Sequence, residues 1–493
     1  MFGWRLLLFF CGGFFFSSSL LAAPWQPPGD LLARHDLQLL SDEGATNAPL
    51  NSWPVSLADF TSVRNAEIKT NVPWVDSAAM RLRQQFRKVR RPGITTRESF
   101  FSVADNPLVF RSFQATPRER VEAGSAIEWL GKRFAARLEV KALDDPADGN
   151  AVRFDGSYIA ATFGNWIFSF GAQDRWWGPG WDGSLILSTS ARPVPGFSFQ
   201  RKQSVPFSWP ILNWLGPWKL EGFAGRLENS RFVSHAKLLG ARFSFRPNRD
   251  LEIGLSRTAQ WGGEGRPEDL DSLIDLILGR DNRNNDGITL SNEPGNQLAG
   301  IDWRWRPPLF RSCNYAIYGQ IVGEDEAGGF PSRPMGLGGL EHWGGAFAGS
   351  YRVYLEVADT SLDFYRSSVR YNKAYEHFIY KTGYRYKGRP LGHTMDNDGQ
   401  SASLGWFWSG PAGIAWGGHL LYARLNRDGE DVLPPGGNLI SPGRKNELRR
   451  ILFFHQRQLG RGKLFLQAGA AFWDSDQGDD TDLILGVSWN LSL

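Results

Sequence analysis

Cysteine is almost absent: two residues, Cys11 and Cys313, in a chain of 493. Cys11 falls in an N-terminal stretch that reads as a cleaved leader. One cysteine then remains, and no internal disulfide can form even in an oxidising compartment. Cys11 also follows two Phe where a lipidation site needs small residues, so lipid attachment is not expected. Long apolar runs are scarce as well. The only one, residues 6–16, is broken by Gly12-Gly13 and falls short of the ~18 or more residues that a spanning helix needs. It follows one positive charge, Arg5, and precedes "SSSLLAAP", which is the layout of a secretory signal. Pro24 blocks cleavage just after Ala23, so the junction is expected at Ala22/Ala23. A strong charge of one sign is missing too. The 55 basic and 51 acidic residues lose only Arg5 with the leader, leaving +3, too little to suggest a nucleic-acid partner. No later stretch approaches a membrane helix, and mean hydropathy is −0.34. An exported chain of this kind is soluble or crosses an outer membrane as strands.

Aromatic residues, at 14 %, and the 56 glycines are what the chain has in plenty. Both suit a barrel whose strands are apolar on one face only. Residues 482–493, "DLILGVSWNLSL", show the pattern. Leu483, Leu485, Val487, Trp489 and Leu491 fall on one face, and Ile484, Gly486, Ser488, Asn490 and Ser492 on the other. Segments of the same kind recur from about Glu98 onward, "FIYKTGYRY" (378–386) among those read as strands. Short turns such as "GKR" (131–133), "FGN" (163–165) and "PNRD" (247–250) join some of them. Long polar insertions at 261–296, 324–338 and 428–447 join others. Short turns on one side and long loops on the other are the asymmetry of outer-membrane barrels. The length allows roughly 16–20 strands, with 18 preferred.

Residues 23–91 differ from the rest. "PGDLLARHDLQLL" (28–40), "WPVSLADF" (53–60) and "VDSAAMRLRQQFRKV" (75–89) read as short helices. In the last, Asp76 or Ser77 caps the start, Met80, Leu82, Phe86 and Val89 form the apolar face, and Pro92-Gly93 ends it. A barrel this wide needs a plug or is a pore, and this segment is the expected plug. The expected organisation is a signal peptide (1–22), an N-terminal periplasmic helical segment (23–95) and an outer-membrane barrel with long extracellular loops (96–493).

Long motifs carry a resemblance. "AQDRWWGPGWDGSLILSTSARPVPGFSFQR" (172–201), "SRTAQWGGEGRPEDL" (256–270), "NEPGNQLAGIDWRW" (292–305), "ARHDLQLLSDEG" (33–44) and "NSWP" (51–54) are similar to the Wzi family of capsule assembly proteins. The resemblance runs the length of the mature chain. It implies an 18-stranded barrel with a helical bundle on the periplasmic side and a lectin-like, non-catalytic role in holding capsular polysaccharide. A channel for oligosaccharide or polysaccharide is the alternative function. The expected partners are capsular or exopolysaccharide, outer-membrane lipid and, during biogenesis, the barrel assembly machinery. No cofactor and no metal are expected.

The candidate site lies in "AQDRWWGPGW" (172–181). Indole packs on the C–H faces of sugar rings, and Asp and Arg bond hydroxyls in pairs. Asp174, Arg175, Trp176, Trp177 and Trp181 are therefore the carbohydrate-binding candidates. Three readings stand open for the tryptophans: sugar contact, closure of the lumen by packing, and an interfacial girdle. "NRNNDGITLSNE" (282–293) has the spacing of a calcium loop, but Pro294-Gly295 forbids the exiting helix, so it reads as a polar surface loop. The basic stretch 81–91 reads as a solvated helix face. No catalytic or phosphate-loop motif is present.

Overall fold

The computed structural model describes residues 25–61, 72–86, 92–105, 107–278, 295–327 and 330–492. The signal segment and the calcium-like loop at 282–293 lie outside the described residues.

Alternating strands close into one barrel. In chain order they are β1 (Gly93–Ala104), β2 (Val121–Leu130), β3 (Phe134–Asp144), β4 (Val152–Arg153 and Tyr158–Phe163), β5 (Trp166–Gly171) and β6 (Gly196–Arg201). There follow β7 (Trp218–Arg226), β8 (Lys237–Asn248), β9 (Leu251–Trp261), β10 (Gly295–Trp305), β11 (Tyr315–Ala327) and β12 (Phe330–Ala346). The last six are β13 (Gly349–Asp359), β14 (Gln400–Ser409), β15 (Ala415–Leu425), β16 (Asn446–Leu459), β17 (Gly462–Ser475) and β18 (Asp480–Ser492). The two pieces of β4 both pair with β3, so they count as one strand and the total is 18. Every neighbour pair is antiparallel, and β18 closes on β1 with Val487 opposite Val103 and Trp489 opposite Phe101. Closure leaves no strand edge unpaired.

The alternation sorts the two faces. Leu483, Leu485 and Val487 are exposed on the outside, as are Phe101, Val103, Leu138 and Phe168, where lipid replaces water. On the inside the strands carry Arg242, Asp302, Arg304, Glu341, Arg352 and Glu356, all buried. Connections on one side are mostly short; the other side carries the long loops 172–195, 360–399 and 426–445 and the described part, 262–278, of the connection after β9. The insertion expected at 324–338 is instead a continuation of two strands, because β11 and β12 stay paired out to Ala327 and Phe330.

The N-terminal segment sits inside the barrel. Helix α1 (Leu31–Asp42) is buried at all twelve positions, and Asp30 caps it by accepting from the Ala33 N–H at 2.9 Å. A helix with this much charge can be buried all round only because the barrel wall answers it. Asp42 takes two bonds from Arg304 at 2.7 and 2.9 Å, and His35 bonds Ser350 and Arg352. Helix α2 (Pro73–Phe86) buries Val75, Ala78, Ala79, Leu82 and Phe86, a stripe at helical spacing. Met80, expected on that face, is exposed: the stripe is set by Val75 and the two alanines, small enough to let α2 lie against α1. Asp76 lies in the first turn, which opens at Pro73. Arg81 reaches from α2 to Asp36 of α1 at 2.6 Å. Residues 53–60 form no α-helix. They make two-residue strands, Ser52–Trp53 and Val55–Ser56, and a 3-10 turn at Leu57–Phe60. The Ser56 hydroxyl caps that turn by accepting from the Ala58 N–H.

Candidate functional site

Loop 172–195 leaves β5 on the long-loop side and then turns down into the lumen. Trp176–Trp177 pairs as a short antiparallel strand with Ser52–Trp53 of the plug, and the Gly178 N–H donates to the Asn51 carbonyl at 2.9 Å. Phe113 stands between Trp53 and Trp176, edge-on to both at 5.1 and 5.3 Å. The Arg34 guanidinium of α1 lies over Trp181 at 4.1 Å and Phe113 at 4.4 Å. It donates to the Pro179 and Gly180 carbonyls at 2.6 and 2.7 Å. Such a cation–aromatic contact is strengthened by the loss of water.

Two carboxylates on the barrel wall hold the rest of the turn. Glu341 accepts from the Trp181 indole N–H at 2.7 Å and from Arg304 and Arg352, each at 2.5 Å. Glu356 accepts from the backbone N–H groups of Trp181 and Gly183, each at 2.7 Å, and from the Tyr318 hydroxyl at 2.8 Å. Gln320 bridges the Trp177 carbonyl and the Leu185 N–H. The glycines are there for space. A Cβ on Gly180 would lie 2.1 Å from the Gly183 carbonyl oxygen, and one on Gly183 would lie 2.1 Å from the His393 ring.

All three indoles are therefore inside the barrel: Trp176 and Trp177 are fully buried and Trp181 is 2 % exposed. Among the described residues the indole N–H groups of Trp176 and Trp177 have no hydrogen-bond partner, and the two rings act by packing. Asp174 and Arg175 are half-buried and not paired with each other. Asp174 faces Arg118 at 3.7 Å, and Arg118 is fixed by the carbonyls of Thr189, Ser190 and Ala191. Arg175 lies over Phe223 at 4.4 Å. Burial raises the Asp174 pKa against the pull of Arg118.

Above the turn, loop 360–399 forms a cap. Residues 378–386, expected as a strand of the barrel, belong to this cap; only Arg385–Tyr386 is extended, paired with Arg389–Pro390. The aromatic alternation there serves a different end. Tyr375 and Tyr384 stack at 5.9 Å and send their hydroxyls to the Leu185 and Ile186 carbonyls at 2.6 and 2.9 Å, tying cap to turn. Buried Arg385 binds Asp396 through two bonds at 2.8 and 2.9 Å and Glu376 at 2.6 Å. Asp398 is buried and accepts from the Asn372 N–H at 2.6 Å. Burial pushes its pKa up to about 8, and Asp428, Asp396 and Glu376 push the same way. Burial lowers His393 to about 4. The outer tip of the cap exposes Tyr365, Arg366 and Arg370, with Arg366 and Arg370 both facing the buried Asp363. Sequence reading missed this loop, because its aromatic spacing imitates a strand.

The class these contacts define is a β-barrel filled from one end by its own N-terminal segment and covered at the other by a loop tied to that filling. The family model for capsule assembly protein Wzi matches residues 95–475, and the chain belongs to that family. A Klebsiella pneumoniae protein described as an uncharacterized 55.8 kDa protein in the cps region is 34 % identical over 408 residues, 81 % of this chain and 77 % of that protein. Among solved structures, Wzi of Escherichia coli is an outer-membrane protein involved in group 1 capsule assembly and a carbohydrate-binding β-barrel. It superposes with a TM-score of 0.81 at 28 % identity, covering 95 % of this chain and 98 % of that one. The protein is thus an outer-membrane barrel of the capsule assembly protein Wzi family.

Proposed function

We propose that the protein binds capsular or extracellular polysaccharide and holds it at the cell surface, with outer-membrane lipid around the barrel and the barrel assembly machinery as its partner during biogenesis. The observation that carries this reading is the double closure of the lumen. The plug and loop 172–195 meet at the Trp53–Trp176 pairing, with Arg34, Glu341 and Glu356 fixing the joint. A chain that fills its own bore along this wall is built to present a surface, and loops anchored on that filling are suited to hold a polymer through repeated weak contacts.

Within the candidate stretch the roles divide. Asp174 and Arg175 meet sugar with their accessible faces, while Trp176, Trp177 and Trp181 hold the turn that carries them. The proposed division of labour is a signal peptide over 1–22 that directs export and is removed, a lumen filling made by the described residues of 25–86, and a barrel with its loops from Gly93 onward. Binding of purified protein to the organism's own capsule tests the reading, paired with single-channel conductance in planar bilayers. Retention of capsule with little conductance is the expected result. A wild-type protein conducting like a large general porin, with no retention, overturns it in favour of the channel.

A further inference from the structure

The inner wall is not filled evenly. Opposite the plug, the charged side chains are sealed: Arg242 and Asp302 are 0 % and 1 % exposed, and Arg352 and Glu341 are both at 0 %. Along β1 and β3, Lys141, Glu98 and Arg137 keep side-chain exposures of 26 %, 24 % and 20 %, beside Glu139, which is buried. These residues point inward because their strand neighbours Leu138, Val140, Phe101 and Val103 are the ones exposed to lipid. Water therefore reaches the lumen on this side. Asn490, which alternation also turns inward from β18, is exposed beside them and opposite Phe100 in the register.

The chemistry along this recess is ordered. Arg137 bonds Glu98 at 3.1 Å and Glu139 at 2.8 Å, and Lys141 bonds Glu139 at 3.0 Å. Lys141 also lies over the half-buried Phe100 ring at 5.4 Å. The ring lies across Gly124, where a Cβ would come within 2.3 Å of it, and Glu139 lies across Gly156, where a Cβ would come within 2.6 Å. Missing side chains thus make room for an aromatic face beside paired acids and bases. Among the described residues, none of the plug bonds to Glu98, Arg137, Glu139 or Lys141.

From this juxtaposition we infer that the recess lined by Phe100, Glu98, Arg137, Glu139 and Lys141 is a sugar-binding subsite for a short stretch of polysaccharide. The inference rests on the carbohydrate-binding role proposed above and adds a location to it. An aromatic face takes the C–H side of a pyranose ring, and alternating carboxylates and cations accept and donate to neighbouring hydroxyls. Since acid and base alternate, the site suits hydroxyl-rich units rather than a dense polyanion, and binding there depends only weakly on salt.

The test uses the full-length detergent-solubilised barrel and oligosaccharides of two to six sugars released from the organism's own capsule, titrated calorimetrically. Phe100→Ala weakens binding by about two- to ten-fold, the worth of one aromatic contact. Phe100→Trp keeps it, and heat-modifiable migration stays unchanged in both. Asn490→Trp, which fills the recess from its exposed edge, abolishes binding without touching the charged ladder. Oligosaccharide binding unchanged in Phe100→Ala and Asn490→Trp overturns the subsite and leaves the wider function standing. Absence of binding by the wild type to both oligosaccharide and intact capsule overturns the function itself, and the subsite with it.

Discussion

Single residues at the plug–turn–wall joint carry unusual weight because they are charged, buried and shared. Glu341 answers two arginines and an indole N–H at once. Removing one partner of a buried pair strands the other, at a typical cost of about 3–5 kcal/mol, whereas the intact pair adds little net stability. Glu341→Ala is therefore expected to lower the temperature of the heat-modifiability transition strongly. Replacing Arg304, Arg352 and Asp42 together with Glu341 by apolar residues of similar size leaves no charge of this cluster stranded and recovers much of the loss. A Glu341→Ala barrel with wild-type melting contradicts this account. Asp398 makes a pH prediction at the same scale. Its folded pKa, about 8, lies above the ordinary aspartate value, so between the two the folded loop holds a proton that the unfolded chain has released. The contribution of Asp398 to cap stability thus falls as pH rises toward 8 and levels off beyond it. Protease cutting or hydrogen exchange in residues 360–399 is expected to increase from pH 6 to pH 9. Asp398→Asn, which cannot ionise, flattens the response; a variant that keeps the wild-type pH profile rules the mechanism out.

Two short elements decide whether the lumen is closed. The turn 178–183 depends on glycine where nothing larger fits, since a Cβ at Gly180 would meet backbone rather than a movable side chain. Gly180→Ala should displace the turn from Glu356 and expose the Trp181 indole, seen as a red shift and increased quenching of tryptophan emission. Unaltered emission with an intact barrel would show that the loop absorbs the methyl group. The plug is the second element. Deleting residues 25–86 removes the plug-side partners of Arg304, Arg246 and Arg242, which are Asp42, Ser41 and the Asn51 carbonyl, and leaves a polar bore, so conductance is expected to rise well above that of the full chain. Equal conductance would place the seal in the loops alone.

At the scale of the whole barrel, the membrane decides which face tolerates charge. Val487→Arg puts a cation among lipid chains at a cost of roughly 2–4 kcal/mol near the midplane, and assembly is expected to suffer. Ser488→Arg, one residue on, points into the wetter side of the lumen and should be milder; equal damage from both would contradict the facing assigned to β18. The wall is also uneven in height. The main piece of β4, along with β5 and β6, has six residues, against the ~9–11 of a usual membrane strand. Here Ile159, Phe168, Phe170, Phe197 and Phe199 face outward around a lipid-side hollow of about 660 Å³.

The sequence by itself determined the barrel and the two faces of its strands, because a strand in a membrane writes its environment into every second residue. The run 482–493 shows that most plainly, and the long motifs placed the family. The helix at 31–42 was legible from its spacing, but not its burial on every side, since that depends on arginines up to about 320 residues away in the chain. Trp176, Trp177 and Trp181 were visible as an oddity of composition. Only the tertiary structure decided that they lie in the lumen, because Trp53, Phe113, Arg34 and Glu341 reach them from separate parts of the chain. The same limit explains residues 378–386, whose alternation was real but whose partners are carbonyls of loop 172–195 rather than a neighbouring strand. Local periodicity reports which environment each side chain meets; it cannot report which distant group supplies that environment, and in a filled barrel nearly every polar contact in the interior is distant.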